Sequence, residues 1–130
     1  MAKEKQIIVG IYEAGWEQIE LVLREGTGGE FYFIPEEGIN KVPRIKIGAD
    51  HDKWQMIFEV YLHEIDEYVM SKMGLRYRPS NNISNNHDDY VFQMTHTQFA
   101  EKNARVAEFI CDSAYDLNKV WKVWKKSKKN

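Results

Sequence analysis

The sequence lacks three features that would place the protein in a familiar class. It holds a single cysteine, Cys111, so no internal disulfide can staple the fold. It has no apolar run long enough to cross a bilayer and none placed to act as a signal peptide. Neither sign of charge dominates, because 18 basic residues stand against 20 acidic ones. We therefore expect a cytoplasmic protein with no membrane partner, and the charge balance argues against nucleic acid.

The basic end of the chain is the one feature that favours nucleic acid. Residues 119–130 combine lysines with Trp121 and Trp124, and such a mixture can contact phosphates and stack on bases. Lysines near a helix C-terminus also complement the helix dipole, while tryptophans at helical spacing continue an apolar stripe. The second interpretation is the simpler one, and residues 125–130 should form a basic tail that frays.

Short β-branched or alternating segments predict strands. Residues 16–24 alternate, and the glycines among residues 26–29 supply positive φ angles for a tight hairpin. A short helix over residues 16–23 is the alternative, because glutamate and leucine also suit helices. Residues 35–43, with two prolines, predict a loop. The full set of predicted strands is residues 7–12, residues 16–24 with residues 30–34 as their hairpin partner, residues 44–48 and, briefly, residues 90–94.

Apolar residues at helical spacing predict two helices. The first covers residues 53–73, with Asp50 or Asp52 as its N-terminal cap and Gly74 ending it in a left-handed conformation. The second covers residues 97–124.

The order of elements predicts an α+β fold. A small antiparallel or mixed sheet should pack against the central helix, with the long C-terminal helix covering the other side. The polar, asparagine-rich residues 76–89 predict a long loop of the kind that often forms a lid beside a site. At 130 residues and 43% hydrophobic content the chain supports one domain, residues 1–124.

The central helix carries two stripes at 3.6-residue spacing. His63 and Glu67 lie one turn apart in the second of these stripes. A helix that is apolar on both sides is predicted to be sandwiched between other elements. A buried carboxylate without a partner is costly unless a cation or a set of hydrogen-bond donors neutralises it, and this cost at Glu67 is the argument for a metal. The first stripe consists of Trp54, Ile57, Phe58, Tyr61, Leu62, Ile65 and Val69, and the second of Met56, Val60, His63, Glu67 and Met70.

The last helix offers a matching stripe that can bring a third ligand. If this stripe docks on the second stripe of the central helix, His96 approaches His63 and Glu67. Two histidines and one carboxylate suit Zn²⁺, with Fe²⁺ or Mn²⁺ as alternatives, and leave positions open for water and substrate. Glu64 is then placed to act as the general base in hydrolysis. The stripe comprises Phe99, Val106, Ala107, Ile110, Ala114, Leu117 and Trp121.

His63 and Glu64, on a helix that follows the strand Arg44–Gly48, give the chain a resemblance to zincin-like metallopeptidases of the minimal gluzincin type. The resemblance spans residues 43–117 and implies that His63 is the first metal ligand and Glu64 the general base of a peptidase. The family's second histidine is replaced here by Glu67, so the motif reads His-Glu-x-x-Glu. An anionic ligand weakens the metal's ability to acidify water, which puts full activity in doubt.

Simpler interpretations stand beside the metal site. His63 and Glu67 can form an ordinary helix pair, and His96, between Thr95 and Thr97, can be a plain helix-start residue. Cys111 is expected to be a buried structural thiol. The main alternative function is a non-enzymatic protein-interaction module, such as an inhibitor encoded by a mobile element. The polar group His87-Asp88-Asp89 matches no defined metal motif and is more simply a solvated loop.

Overall fold

The computed structural model describes residues 4–34, 42–80, 82–86 and 88–128. The predicted α+β fold is confirmed over these residues. The predicted loop at residues 35–43 lies almost wholly outside them. In chain order the elements are β1 (Gln6–Ala14), β2 (Glu17–Arg24), β3 (Gly29–Tyr32), β4 (Arg44–Gly48), α1 (Trp54–Lys72), β5 (Arg76–Tyr77), β6 (Val91–Phe92) and α2 (His96–Lys128).

The main sheet has four strands in the order β1-β2-β4-β3. β2 is antiparallel to β1 and parallel to β4, and β3 is antiparallel to β4. The predicted hairpin is therefore wrong, although both of its segments are strands and the helix alternative at residues 16–23 is excluded. The link at residues 25–28 crosses the end of β4 instead of turning back on β2. Gly26 and Gly28 permit this crossing with φ of 90° and 71°.

Both helices pack on the same face of this sheet. The side chains of Ile19, Leu21 and Leu23 from β2 meet those of Ile45 and Ile47 from β4 in one core, and residues of α1 and α2 complete it. The expectation that α2 covers the other side is wrong. α2 lies beside α1, over β1 and the β1 side of the sheet, while α1 lies over β3 and β4.

The ends of α1 show one correct and one incorrect sequence expectation. Gly74 adopts φ 74° just beyond the helix, as predicted. Neither Asp50 nor Asp52 caps the N-terminus, because the capping position is Lys53 and no side chain bonds to the helix there. Asp50 instead accepts hydrogen bonds from the Gly26 amide and from the Trp124 indole.

α2 begins with a capping box and is longer than predicted. The amide of Gln98 donates to Thr95 Oγ1 and the amide of Thr95 donates to Gln98 Oε1. Cys111 is exposed, so the prediction of a buried thiol is wrong. Neither of the described helices is long and apolar enough to cross a membrane. The residues that α2 buries repeat every three or four positions: Lys102, Val106, Phe109, Ser113, Leu117, Trp121 and Trp124.

The basic end is helical through Lys128, so α2 continues beyond residue 124, where the sequence predicted its end. Lys128 pairs with Asp50 at 3.2 Å. Trp121 and Trp124 are 4% and 2% exposed, and Trp121 donates its indole hydrogen bond to the Ala49 carbonyl. Buried tryptophans have no face free for a base, so stacking on nucleic acid is excluded for this pair.

The crossing at residues 25–28 yields a stability prediction. A Cβ on Gly48 would lie 2.5 Å from the Gly26 carbonyl oxygen and from the Thr27 backbone. Gly48→Ala should therefore lower the free energy of unfolding by about 2–3 kcal/mol, because backbone must move. Gly28→Ala is the matched control, since its Cβ meets open space and only the left-handed φ costs about 1 kcal/mol. Urea unfolding measures both, and an equal loss in the two variants would contradict the crossing.

Candidate metal centre

His63, Glu64 and Glu67 lie together on one side of α1. Helical spacing places residues 63 and 67 on successive turns, and residue 64 adjoins both. One ligand-capable atom from each side chain lies within 4.8 Å of the other two. The three side chains differ in exposure, because His63 is exposed, Glu67 is partly buried and Glu64 is buried.

Glu64 is the unusual member of this group. It is 7% exposed, and its Oε2 atom is buried with no hydrogen-bond partner in the part of the chain that the structure describes. The side chain lies against the edge strand β3, where Gly29 makes room for it: a Cβ on that glycine would meet Glu64 Cγ at 2.9 Å. Burial raises the pKa of the Glu64 carboxyl to about 6. The charge of His63 opposes this rise and that of Glu67 adds to it.

Glu67 is not the unpaired carboxylate that the sequence led us to expect. Arg76 Nη1 lies 3.4 Å from Glu67 Oε1, and His63 Nε2 lies 3.4 Å from Glu67 Oε2. Arg76 follows the end of α1 on the short strand β5, which returns the chain toward the helix. The argument from an uncompensated buried charge therefore belongs to Glu64 and not to Glu67.

The second stripe of α1 is not sandwiched along its whole length. The His63 side chain is 69% exposed and Met56 is 43% exposed, whereas Met70 at the end of the stripe is buried. α2 packs instead against the first stripe: Tyr61 bonds to Ser113, and the Trp54 ring lies 5.8 Å from the Trp121 ring. The predicted docking of α2 on the second stripe is wrong.

His96 therefore does not join the cluster. It is the first residue of α2 and is exposed, and among the described residues the cluster holds only His63, Glu64 and Glu67. The capping box at Thr95 and Gln98 explains a polar residue at this helix start without a metal. The third ligand-capable group near His63 and Glu67 is Glu64.

An open cavity of about 510 Å³ adjoins the cluster. Pairing of β5 with β6 brings the end of the polar loop beside α1, so the predicted proximity of this loop to the site is observed. His87 lies outside the described residues. The cavity wall consists of His63, Asp66, Glu67 and Met70 from α1 and of Asp88, Asp89, Tyr90 and Phe92 from the segment that ends in β6.

Two site features were missed from the sequence. Arg76 stands in a loop-like segment with no periodicity to relate it to Glu67, and its guanidinium also lies 4.4 Å from the Tyr90 ring centre. Lys102 is buried in α2 with its Nζ 2.9 Å from Asp66 Oδ1. The sequence signal for the burial of Lys102 was its helical spacing from Val106, which places both residues on the buried stripe of α2.

The chemistry of the donor set fits a divalent transition metal. One imidazole nitrogen and two carboxylate groups are ligands that zinc, iron and manganese accept. A cation at this position would also supply the partner that Glu64 lacks. The cavity on the His63 and Glu67 side gives a small molecule access to the cluster.

Comparison with known proteins found no matching family model, no matching curated protein and no matching solved structure. The resemblance to zincin-like peptidases therefore rests on His63, Glu64 and the order of the strand and the two helices around them.

The burial of Glu64 gives a pH-dependent prediction for the protein treated with a chelator. Its pKa in the folded state is about 6 and its ordinary value is 4.5, so the folded state binds more protons between these values. Wild-type stability should therefore fall as the pH rises through this window, and Glu64→Gln should not show that loss. The free energy of unfolding of Glu64→Gln minus that of the wild type, called the gap, should be higher above pH 6 than below pH 4.5. The gap should increase by about 1–2 kcal/mol.

Urea unfolding of the two proteins across the pH range measures this gap. Glu59→Gln is the matched control, since Glu59 is an exposed glutamate on the same helix. A gap that does not change with pH would show that the Glu64 carboxyl is well solvated.

Proposed function

We propose that the protein is a small metal-dependent hydrolase whose metal is held on α1. His63 and Glu67 are the ligands, and Glu64 is the general base. Zinc is the first choice and iron or manganese the alternatives. The observation that carries the proposal is the meeting of three ligand-capable groups within 4.8 Å, one of them a carboxylate whose buried Oε2 atom has no hydrogen-bond partner among the described residues.

The metal, when bound, would act as a Lewis acid toward water and a substrate carbonyl. Glu64 is suited to take up and release the proton, because it lies beside the two ligands without being one of them. Arg76 orients Glu67 from the opposite side through its 3.4 Å contact. Glu64 Cγ lies against Gly29, and the Oε2 atom of the carboxylate is buried.

The zincin-like resemblance supports the peptidase form of this proposal. It assigns the same roles to His63 and Glu64, and it leaves Glu67 as the departure from the family's motif. A peptide or protein is then the substrate class, and a degenerate relative that keeps its metal without full activity is the weaker form. A cytoplasmic location stays a prediction.

Metal content is the first test. Protein prepared without chelators should carry close to one zinc, iron or manganese ion per chain. His63→Ala and Glu67→Ala should weaken the affinity at least about 100-fold, because loss of even an outer-shell partner commonly costs 10–100-fold. Elemental analysis and competition with a chromophoric chelator measure the two quantities.

His96→Ala is the matched control for the histidine, since His96 is exposed and outside the cluster. It should keep wild-type affinity. Metal-free protein, or equal loss in His96→Ala and His63→Ala, would contradict the proposal.

Glu64→Gln separates the two roles that Glu64 can have. As the general base it is needed for proton transfer but not for holding the ion, so Glu64→Gln should keep the metal and lose about 100-fold or more in hydrolysis of a peptide library. Mass spectrometry of the digested library provides the rate. Loss of the metal in Glu64→Gln would instead make Glu64 a ligand and remove the base from this mechanism.

The edge strand β1 favours a second candidate function, a non-enzymatic protein-interaction module such as a mobile-element-encoded inhibitor. Ile8 and Ile11 are 47% and 42% exposed. Between β1 and α2 lies an open groove lined by Ile7, Val9 and Val123 among others. An exposed apolar edge strand can pair with an extended segment of another protein. A metal-free protein would favour this function over the first.

A further inference from the structure

An open groove of about 520 Å³ lies between β1 and α2, at the opposite edge of the sheet from β3. Its walls are mainly apolar, because Ile7 and Val9 come from β1, and Val120 and Val123 come from α2. Val123 is 62% exposed and Ile7 is 36% exposed. Apolar side chains gathered in one open groove favour a partner that covers them.

The wall that α2 contributes has a self-complementary order of side chains. Asp116, Val120, Val123 and Lys126 follow one another at spacings of four, three and three positions, so they share one stripe of the helix, here called the outer stripe. In chain order the outer stripe is acid, apolar, apolar, base. A second α2 that runs antiparallel to the first presents base, apolar, apolar, acid beside it.

The two charges at the ends of the outer stripe have no ion pair among the described residues. Asp116 accepts a hydrogen bond of 2.7 Å from the Tyr12 hydroxyl, which leaves its negative charge uncompensated. Lys126 is exposed, whereas its neighbour Lys128 pairs with Asp50. Both ends of the outer stripe can therefore pair with charges of another molecule.

We propose that a second copy of this chain covers the groove, in a twofold-symmetric dimer whose two α2 helices run antiparallel. In such a dimer the same surface meets itself, so each contact occurs twice. An axis midway between Val120 and Val123 places Val120 opposite Val123 of the partner subunit. The same axis places Asp116 beside Lys126 of the partner subunit, because Asp116 lies four positions before Val120 and Lys126 three positions after Val123.

The order of charges favours a second copy over a different protein. A different protein would have to supply a matching base and acid on either side of an apolar pair, whereas this chain already holds them in the required antiparallel order. Apolar residues at the centre with charges around them are also the usual anatomy of a protein interface. The dimer uses none of the residues of the metal centre, so this inference goes beyond the proposed function and is independent of it.

Sedimentation velocity of the full-length protein over a concentration series tests the dimer. The wild type should pass from monomer to dimer as the concentration rises. Val123→Asp should raise the dissociation constant of the dimer about 100-fold or more, because each copy would bury a charge against an apolar side chain. Ile83→Asp is the matched control, since Ile83 is 73% exposed and does not line the groove, and it should keep the wild-type constant.

Charge reversal tests the antiparallel pairing. Asp116→Lys puts a lysine at both ends of the outer stripe, and Lys126→Asp puts an aspartate at both ends. Each variant alone should raise the dissociation constant about tenfold or more, because like charges then face each other. An equimolar mixture of the two should restore the dimer, since every lysine then meets an aspartate. Circular dichroism checks that each variant is folded.

Lys122→Asp is the matched control for Lys126→Asp, because it changes the net charge equally at an exposed position of the same helix outside the outer stripe. It should keep the wild-type constant, and equal weakening in the two variants would overturn the inference. A mixture that associates no better than its components would overturn it too, as would a dimer that Val123→Asp leaves intact. A wild type that is monomeric at every concentration would overturn it and leave the groove to a different protein.

Discussion

A buried carboxylate oxygen without a hydrogen-bond partner among the described residues is the constraint on which the rest of the site depends. The Glu64 side chain lies between α1 and the edge strand β3, and its Oε2 atom is the oxygen concerned. An ionised carboxylate in such a place costs free energy unless a proton or another cation joins it. At neutral pH the proton is held only weakly, since the pKa is about 6. A divalent ion held by His63 and Glu67 would lie beside Glu64 and offset its charge without being coordinated by it.

The fold supports this arrangement from three sides. β3 contributes Gly29, whose missing side chain leaves the space that Glu64 fills. Pairing of β5 with β6 brings Arg76 close to Glu67. It also places Asp88 and Asp89 beside α1. α2 packs against the opposite side of α1, where Tyr61 bonds to Ser113, and leaves His63 open to solvent. The core is thus built away from the cluster, which remains accessible.

Local patterns in the sequence predicted the helices and strands. The pairing of the strands depends on contacts between distant segments, which local patterns do not encode. Helical and alternating periods are local properties, so α1 and β4 were predicted almost to their ends and α2 almost to its start. The place of β3 depends on β4 entering between β2 and β3, which nothing in residues 16–34 encodes. A tight glycine link is equally compatible with a hairpin and with a crossing over a third strand.

In the candidate site, too, local spacing predicted one part and contacts between distant segments decided the other. Spacing alone brought His63, Glu64 and Glu67 to one side of a helix. Which of the two glutamates is paired depends on Arg76, and Arg76 reaches Glu67 only through the turn at Gly74 and the short strand β5. His96 was assigned on the assumption that α2 docks on the second stripe of α1. The buried stripe of α2 is centred on Phe109 and Ser113, and that rotation carries its first residue away from the cluster.

The most direct test of the account is the titration of the Glu64 carboxyl by carbon NMR, with and without zinc. Without metal the midpoint should lie near 6. With zinc bound it should fall below the ordinary glutamate value of 4.5, because the cation stabilises the ionised form. A midpoint that zinc leaves unchanged would show that the ion does not compensate this carboxylate, and the central claim would fail.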